Sequence, residues 1–167
     1  MNERTIMTAA LTLVAFAIGL RLPDVDLLLG LGHRNGVTHS VAPALVALGR
    51  VQWRHAGCGL AGGTGLHLAA DCFPNAMTGF ATVKLPFAGS IGAAASYGWL
   101  AVHAIVALML AAVGLRRLHH PVAAIGVAAG TAMLGVGYLW RTDGGWPVLA
   151  MIMLAAVLWW RRNRAGA

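Results

Sequence analysis

Long apolar runs separated by short charged connections dominate this chain and constrain its fold more than any other feature. They cover Ile6–Leu22, Val37–Gly49, Ala56–Asp71, Ile91–Leu115, Val122–Trp140 and Trp146–Trp160. A helix needs ~20 apolar residues to cross a ~30 Å hydrocarbon core, so the second, third and sixth runs are short for that task. Such runs either tilt little, extend into adjacent polar residues or, for the second and third, form a helical hairpin shielded by the others. Backbone polar groups in lipid must be satisfied within their own segment, which selects helices. The expected fold is all-α: one polytopic membrane helix bundle over residues 1–167, with about five or six transmembrane helices, some short.

Composition agrees with that reading. Only 10% of the 167 residues are charged, against about 25% in soluble domains, and mean hydropathy is +0.73. The formal charge is +7, from twelve Lys and Arg against five acids. The basic residues sit between apolar runs and at Arg161, Arg162 and Arg164, without an aromatic-interleaved stripe. They read as topology signals and membrane-lipid headgroup contacts, and no nucleic-acid partner is expected. Cys58 and Cys72 lie too far apart along one helix to pair. Ala15-Phe16-Ala17 has the look of a signal-peptidase site, but the apolar segments that follow favour an uncleaved first span. Gly59/Gly63 and Gly126/Gly130 have the spacing that lets helix backbones approach closely.

If all six runs span, one face receives Arg4, Arg50, Arg54, Arg116, Arg117, Arg161, Arg162 and Arg164, and the other Arg21, Arg34, Lys84 and Arg141. The positive-inside rule then places both termini in the cytoplasm of a bacterial inner (plasma) membrane. The unusual polar residues collect on the opposite, extracytoplasmic face. Asp24-x-Asp26 follows the helix-stopping Pro23, and in an extended segment both carboxylates point the same way. His33-Arg34 comes next, then Thr38-His39-Ser40, where Thr38 fits an N-cap and would set His39 in the first helical turn. The third run ends in His67-x-x-x-Asp71, whose i, i+4 spacing places imidazole and carboxylate on one helix face. Three carboxylates and three imidazoles form a ligand set for a divalent metal, zinc foremost with manganese or magnesium as alternatives, in one or two ions.

Each residue also has a structural reading. Asp24 and Asp26 suit caps, His33 and Arg34 a headgroup-facing loop, and His39 and His67 helix ends satisfied by neighbours. His103, near the middle of the fourth run, fits packing or an interhelical hydrogen bond. His55, His119 and His120 fall on the opposite side from the candidate site and read as interface residues.

Together these segments resemble the YdjM-like (LexA-binding, inner membrane-associated) family of membrane-bound metal-dependent hydrolases. The resemblance rests on Leu22-Pro23-Asp24-Val25-Asp26, on His33-Arg34-Asn35-Gly36-Val37-Thr38-His39-Ser40, and on Gly63 to Asp71 with Gly79 and Leu85-Pro86 beyond. It covers the first ninety residues, leaving 91–167 as generic transmembrane helices. Asn35-Gly36 replaces the family's single Gly, and the first helix lacks a histidine that many relatives carry. The resemblance implies metal-dependent hydrolysis at the membrane.

The corresponding expectation is that Asp24, Asp26, His39, His67 and Asp71 ligate the metal, with His33 a sixth or supporting member. A bound metal lowers the pKa of its water toward ~7. Arg34 would grip a phosphate oxygen bidentately, which makes an ester or phosphoester of a lipid headgroup the expected substrate. A phosphatidic-acid-phosphatase type of enzyme also ends a motif in His-x-x-x-Asp, but its Arg-Pro and Ser-Gly-His motifs are missing here. The non-enzymatic alternative is a membrane scaffold or divalent-ion transporter built around a structural polar cluster.

Overall fold

The computed structural model describes residues 1–118 and 120–165, so His119 lies outside the described residues. The chain is all-α in character, with seven α-helices and a small hairpin among the described residues. The helices are α1 (Glu3–Gly19), α2 (Val25–Leu28), α3 (Ala42–Leu48), α4 (Arg54–Asp71), α5 (Ala93–Arg116), α6 (Pro121–Arg141) and α7 (Gly145–Ala165). Strands β1 (Lys84–Leu85) and β2 (Gly89–Ser90) pair antiparallel in the connection between α4 and α5. Two helices, α5 and α6, are long and apolar enough to cross a membrane.

The organising element is α4, which carries glycines at 57, 59, 62, 63 and 65 and is buried along most of its length. A Cβ on Gly59 would run into the Thr12 carbonyl oxygen of α1, and one on Gly63 into the Phe16 carbonyl oxygen. The close approach anticipated for this glycine pair is therefore made between α1 and α4. Gly126/Gly130 behaves differently: Gly126 faces open space, while Gly130 meets the side chain of Leu13. On the other side of α4, Gly65 abuts Leu108 and Gly114 of α5 abuts Cys58. Both cysteines are free.

The second apolar run departs from the sequence reading. Its helix, α3, has only seven residues and starts at Ala42 with Pro43 in its first turn. At ~1.5 Å rise per residue it is about 10 Å long, too short to cross a membrane as a helix. Thr38 is not its N-cap. Ser40 Oγ accepts from the Ala42 N–H at 3.2 Å, and Pro43, which has no N–H, suits an early helical position. Residues 37–53 instead return alongside α4, from His39 near Asp71 to Leu48 against Gly57. Together α3 and α4 form the hairpin that the short runs allowed, but the other helices do not shield α3, whose Leu45 and Val46 are exposed.

This return sorts the charged residues. Arg21, Arg34, Lys84 and Arg141 collect at the end of the bundle where α1, α4 and α6 finish and α5 begins, whereas Arg50, Arg54, Arg116 and Arg117 lie at the other. The apolar core at the first end includes Leu20, Leu66, Ala70, Leu139 and Val148, drawn from α1, α4, α6 and α7. A second cluster of Leu68, Met77, Val83, Leu100 and Ala104 secures the 77–92 connection against α4 and α5.

Candidate metal centre

The polar residues of three separate segments meet at the first end of the bundle, and local geometry explains how each arrives. After α1, Pro23 directs the chain into the single turn of α2 rather than the extended segment expected from Asp24-x-Asp26. Helical residues two apart point to different sides, so the two carboxylates separate. Asp24, whose N–H donates to the Arg21 carbonyl at 3.2 Å, keeps a half-exposed side chain. Asp26 turns inward and is completely buried.

The segment that follows is held by backbone and side chain together. Arg34 has φ +58°, a left-handed conformation that costs a non-glycine residue roughly 1–2 kcal/mol. It is pinned there because the Lys84 N–H donates to the Arg34 carbonyl at 2.9 Å and the Gly36 N–H to the Lys84 carbonyl at 2.8 Å. Asn35 donates its N–H to Asp26 Oδ2 at 2.8 Å, and its carbonyl accepts from the His39 N–H at 2.8 Å. Trp99 of α5 donates its indole N–H to the His39 carbonyl at 2.8 Å. The His39 backbone is thereby fixed at both its N–H and its carbonyl.

His39 and His67 are buried, and each has one ring nitrogen engaged from behind. His39 Nδ1 lies 3.2 Å from Asp26 Oδ2, and His67 Nδ1 lies 3.0 Å from the Leu20 carbonyl oxygen and 2.8 Å from the Tyr138 hydroxyl. A carboxylate and a carbonyl only accept, so this network assigns the proton of each neutral ring to Nδ1. Each Nε2 is then a lone pair. His39 Nε2 faces Asp71 Oδ2 at 3.3 Å, and His67 Nε2 faces the same oxygen at 3.5 Å and Asp24 Oδ1 at 3.7 Å. Both Nε2 atoms and Asp71 Oδ2 are buried without any hydrogen-bond partner.

Ligand atoms ~2.1 Å from a common tetrahedral centre lie about 3.4 Å apart, close to these separations. Acceptors so arranged repel one another unless a cation lies among them. The described residues contain two overlapping groups that could hold a metal ion, His39/His67/Asp71 and Asp24/His33/His39. His33 closes the second group; it stacks on Phe80 with ring centroids 4.5 Å apart, and its Nδ1 is buried without a partner. Burial, reinforced by His39 and Arg34, pushes its pKa below the ordinary imidazole value. It is neutral and able to ligate at pH 7.

Asp26 and Arg34 each spend part of the side chain on a contact within the protein. Asp26 stands behind His39, outside both groups, where it orients the ring as a carboxylate behind a ligating histidine does. Arg34 does not face outward to meet a phosphate. Its Nη2 pairs with Asp71 Oδ1 at 3.0 Å, its Nη1 donates to the Ala81 carbonyl at 2.6 Å, and only a buried Nε lacks a partner. That pairing holds Asp71 so that Oδ2 points to the histidines. His103 Nδ1 donates locally to the Trp99 carbonyl, 2.8 Å away, and the ring stacks on Trp99, in keeping with a packing role.

Four contributors escaped the sequence reading. Asn35 acts through its backbone and looked like an insertion, while the Leu20 and Ala81 carbonyls carry no sequence signal at all. Tyr138 carried a faint one, being one of two tyrosines in the chain and set inside an apolar run. Comparisons with protein-family models, curated proteins and solved structures find no match.

Proposed function

We propose that this chain is a multi-pass membrane protein of the YdjM-like type that hydrolyses an ester or phosphoester at a divalent metal centre, with zinc the best fit. One observation carries the reading: two imidazole lone pairs and a carboxylate oxygen, all buried and unpartnered, converge at 3.3 and 3.5 Å. His39, His67 and Asp71 are the inner ligands, and Asp24 and His33 complete the set on the open side. The mixture of imidazole and carboxylate suits zinc better than magnesium, which favours oxygen ligands.

A divalent ion there supplies Lewis acidity and makes water a nucleophile near neutral pH. The chain's residues do the rest. Asp26, Leu20 and Tyr138 fix the two ring orientations, Arg34 neutralises Asp71 on the side away from the centre, and Asp24 leaves one edge open to a substrate. Hydrolysis consumes one water, whose oxygen joins the acyl carbon or phosphorus while the ester oxygen departs with a proton.

A membrane location is supported by an inverted distribution of polarity. Asp26, His39, Thr64, His67 and Ser96 are buried, whereas Ile105, Met109, Ile125, Met133, Ile152 and Leu154 are exposed on α5, α6 and α7. In water each such exposed side chain would forgo roughly 1.5–3 kcal/mol of burial. Charge sorting then favours a cytoplasmic end at Arg50, Arg54, Arg116 and Arg117 and an extracytoplasmic metal centre in a bacterial inner membrane.

The test is elemental analysis of the detergent-purified chain together with chelator-sensitive hydrolysis of phospholipid and generic phosphoesters. The expected result is stoichiometric metal in the native chain, none in the His67→Ala/Asp71→Ala double variant, and activity that follows the metal. Full retention of metal by the double variant overturns the centre. Metal held without any hydrolysis overturns the enzymatic reading in favour of a structural ion site.

A further inference from the structure

A groove of about 600 Å³ runs between the ends of α1 and α6 beside the metal centre. Its floor is apolar, formed by Ala17, Met133, Leu134 and Gly137, and its rim is cationic, formed by Arg21 and Arg141. Both arginines are exposed, and neither makes an ion pair among the described residues. Leu20 and Tyr138 form the inner wall. These are the two residues that contact His67 Nδ1, at 3.0 and 2.8 Å, so the groove lies one imidazole ring from the proposed ligand atom His67 Nε2. Asp24, the half-exposed member of the ligand set, follows Arg21 by one turn, its N–H donating to the Arg21 carbonyl.

We propose that this groove binds an anionic glycerophospholipid, its phosphate between Arg21 and Arg141 and an acyl chain along the floor. That the bound lipid is also the substrate rests on the hydrolase reading above. Charge complementarity selects the headgroup, since two guanidinium groups without carboxylate partners match a phosphodiester, and arginine meets phosphate in a bidentate fork. The apolar floor selects a lipid over a free phosphate, which would leave that surface bare. Arg34, tied to Asp71 and Ala81, leaves the headgroup to this pair.

The geometry also provides a variant that fills the groove without disturbing the packing. A Cβ on Gly137 meets nothing within 4 Å, so Gly137→Leu projects into open space. The experiment loads the detergent-purified full chain with an equimolar mixture of labelled phosphatidylglycerol and phosphatidylcholine. Retained lipid and bound metal are then counted on the same sample. The native chain is expected to favour phosphatidylglycerol about tenfold, because both lipids offer the same phosphodiester but the choline cation of phosphatidylcholine would lie against two unpaired guanidinium groups. Arg21→Gln/Arg141→Gln is expected to abolish that preference, and Gly137→Leu to reduce retention of both lipids. Metal content should stay at the native level in each variant, because neither alters a proposed ligand. Native phosphatidylglycerol retention in both variants overturns the groove. So does its displacement by inorganic phosphate at equal concentration, which would mark a site for free phosphate. Selective retention by a chain that binds no metal sustains the groove and overturns the hydrolase reading.

Discussion

Asp71 works on two sides at once: Oδ1 is held by Arg34 at 3.0 Å, while Oδ2 faces two imidazole nitrogens. Asp71→Asn should therefore do more than remove a ligand. It leaves the buried Arg34 guanidinium without its counter-charge, a loss worth about 3–5 kcal/mol when one partner of a buried pair is removed. The expected outcome is loss of bound metal together with a clear fall in the thermal midpoint of the metal-free protein. Asp26 acts one step further out, through His39 Nδ1 and the Asn35 N–H. Asp26→Asn should weaken metal binding by about 10–100-fold, the usual cost of losing a carboxylate behind a ligating histidine. Competitive metal titration reads this directly, and unchanged affinity would make Asp26 purely structural. The i, i+4 pair of His67 and Asp71 was legible from spacing alone. The partners of His67 Nδ1 and Arg34 Nη1 were not, because the acceptors there, Leu20 and Ala81, are backbone carbonyls that every residue type carries.

Among the elements, α4 decides how near α1 comes, and it does so through glycine. Gly63→Ala would set a Cβ against the Phe16 carbonyl, where backbone rather than a mobile side chain must yield. Overpacking of this kind costs roughly 1–3 kcal/mol, and displacement of α1 would also carry the Leu20 carbonyl away from His67. A lowered thermal midpoint with weakened metal binding is the expected result. Gly126→Ala is the control: its Cβ enters open space, and alanine is favoured over glycine in a helix by about 0.8–1.0 kcal/mol. That variant should melt no lower than the native chain. The two glycine pairs look alike in sequence, and only the packing separates them. The short second run illustrates the same limit. Its length excluded an ordinary span, but whether it tilted, lengthened or folded back depended on Pro43, Ser40 and the contact of Leu48 with Gly57.

At the scale of the whole molecule, the proposed metal centre joins the end of α1, the 24–40 segment, α4 and, through Tyr138, α6. A ligand that binds only the folded state stabilises it by RT ln(1 + [L]/Kd), which is about 2.7 kcal/mol at a hundredfold excess over Kd. Chelation should accordingly lower the midpoint of global unfolding and not merely loosen one loop, and added zinc should restore it. Acid should act in the same direction. Three of the proposed ligands are imidazoles that bind metal only when neutral, so protons compete with the ion and its hold weakens as pH falls. Affinity that stays level from pH 8 to pH 5 would exclude histidine ligation. By itself the sequence determined that the chain is helical, that its basic residues divide into two groups, and that its few carboxylates and imidazoles gather in three short segments. Those properties follow from hydropathy, charge order and helical periodicity, all of which are local. Only the tertiary structure decided that Asp26 lies against His39 Nδ1, that Arg34 pairs with Asp71, and that Arg21 and Arg141 border a groove. For Asp26 and Arg34 this depends on which way the side chain turns after a one-turn helix or at a left-handed residue, and that direction is set by partners from 9 to 47 positions away.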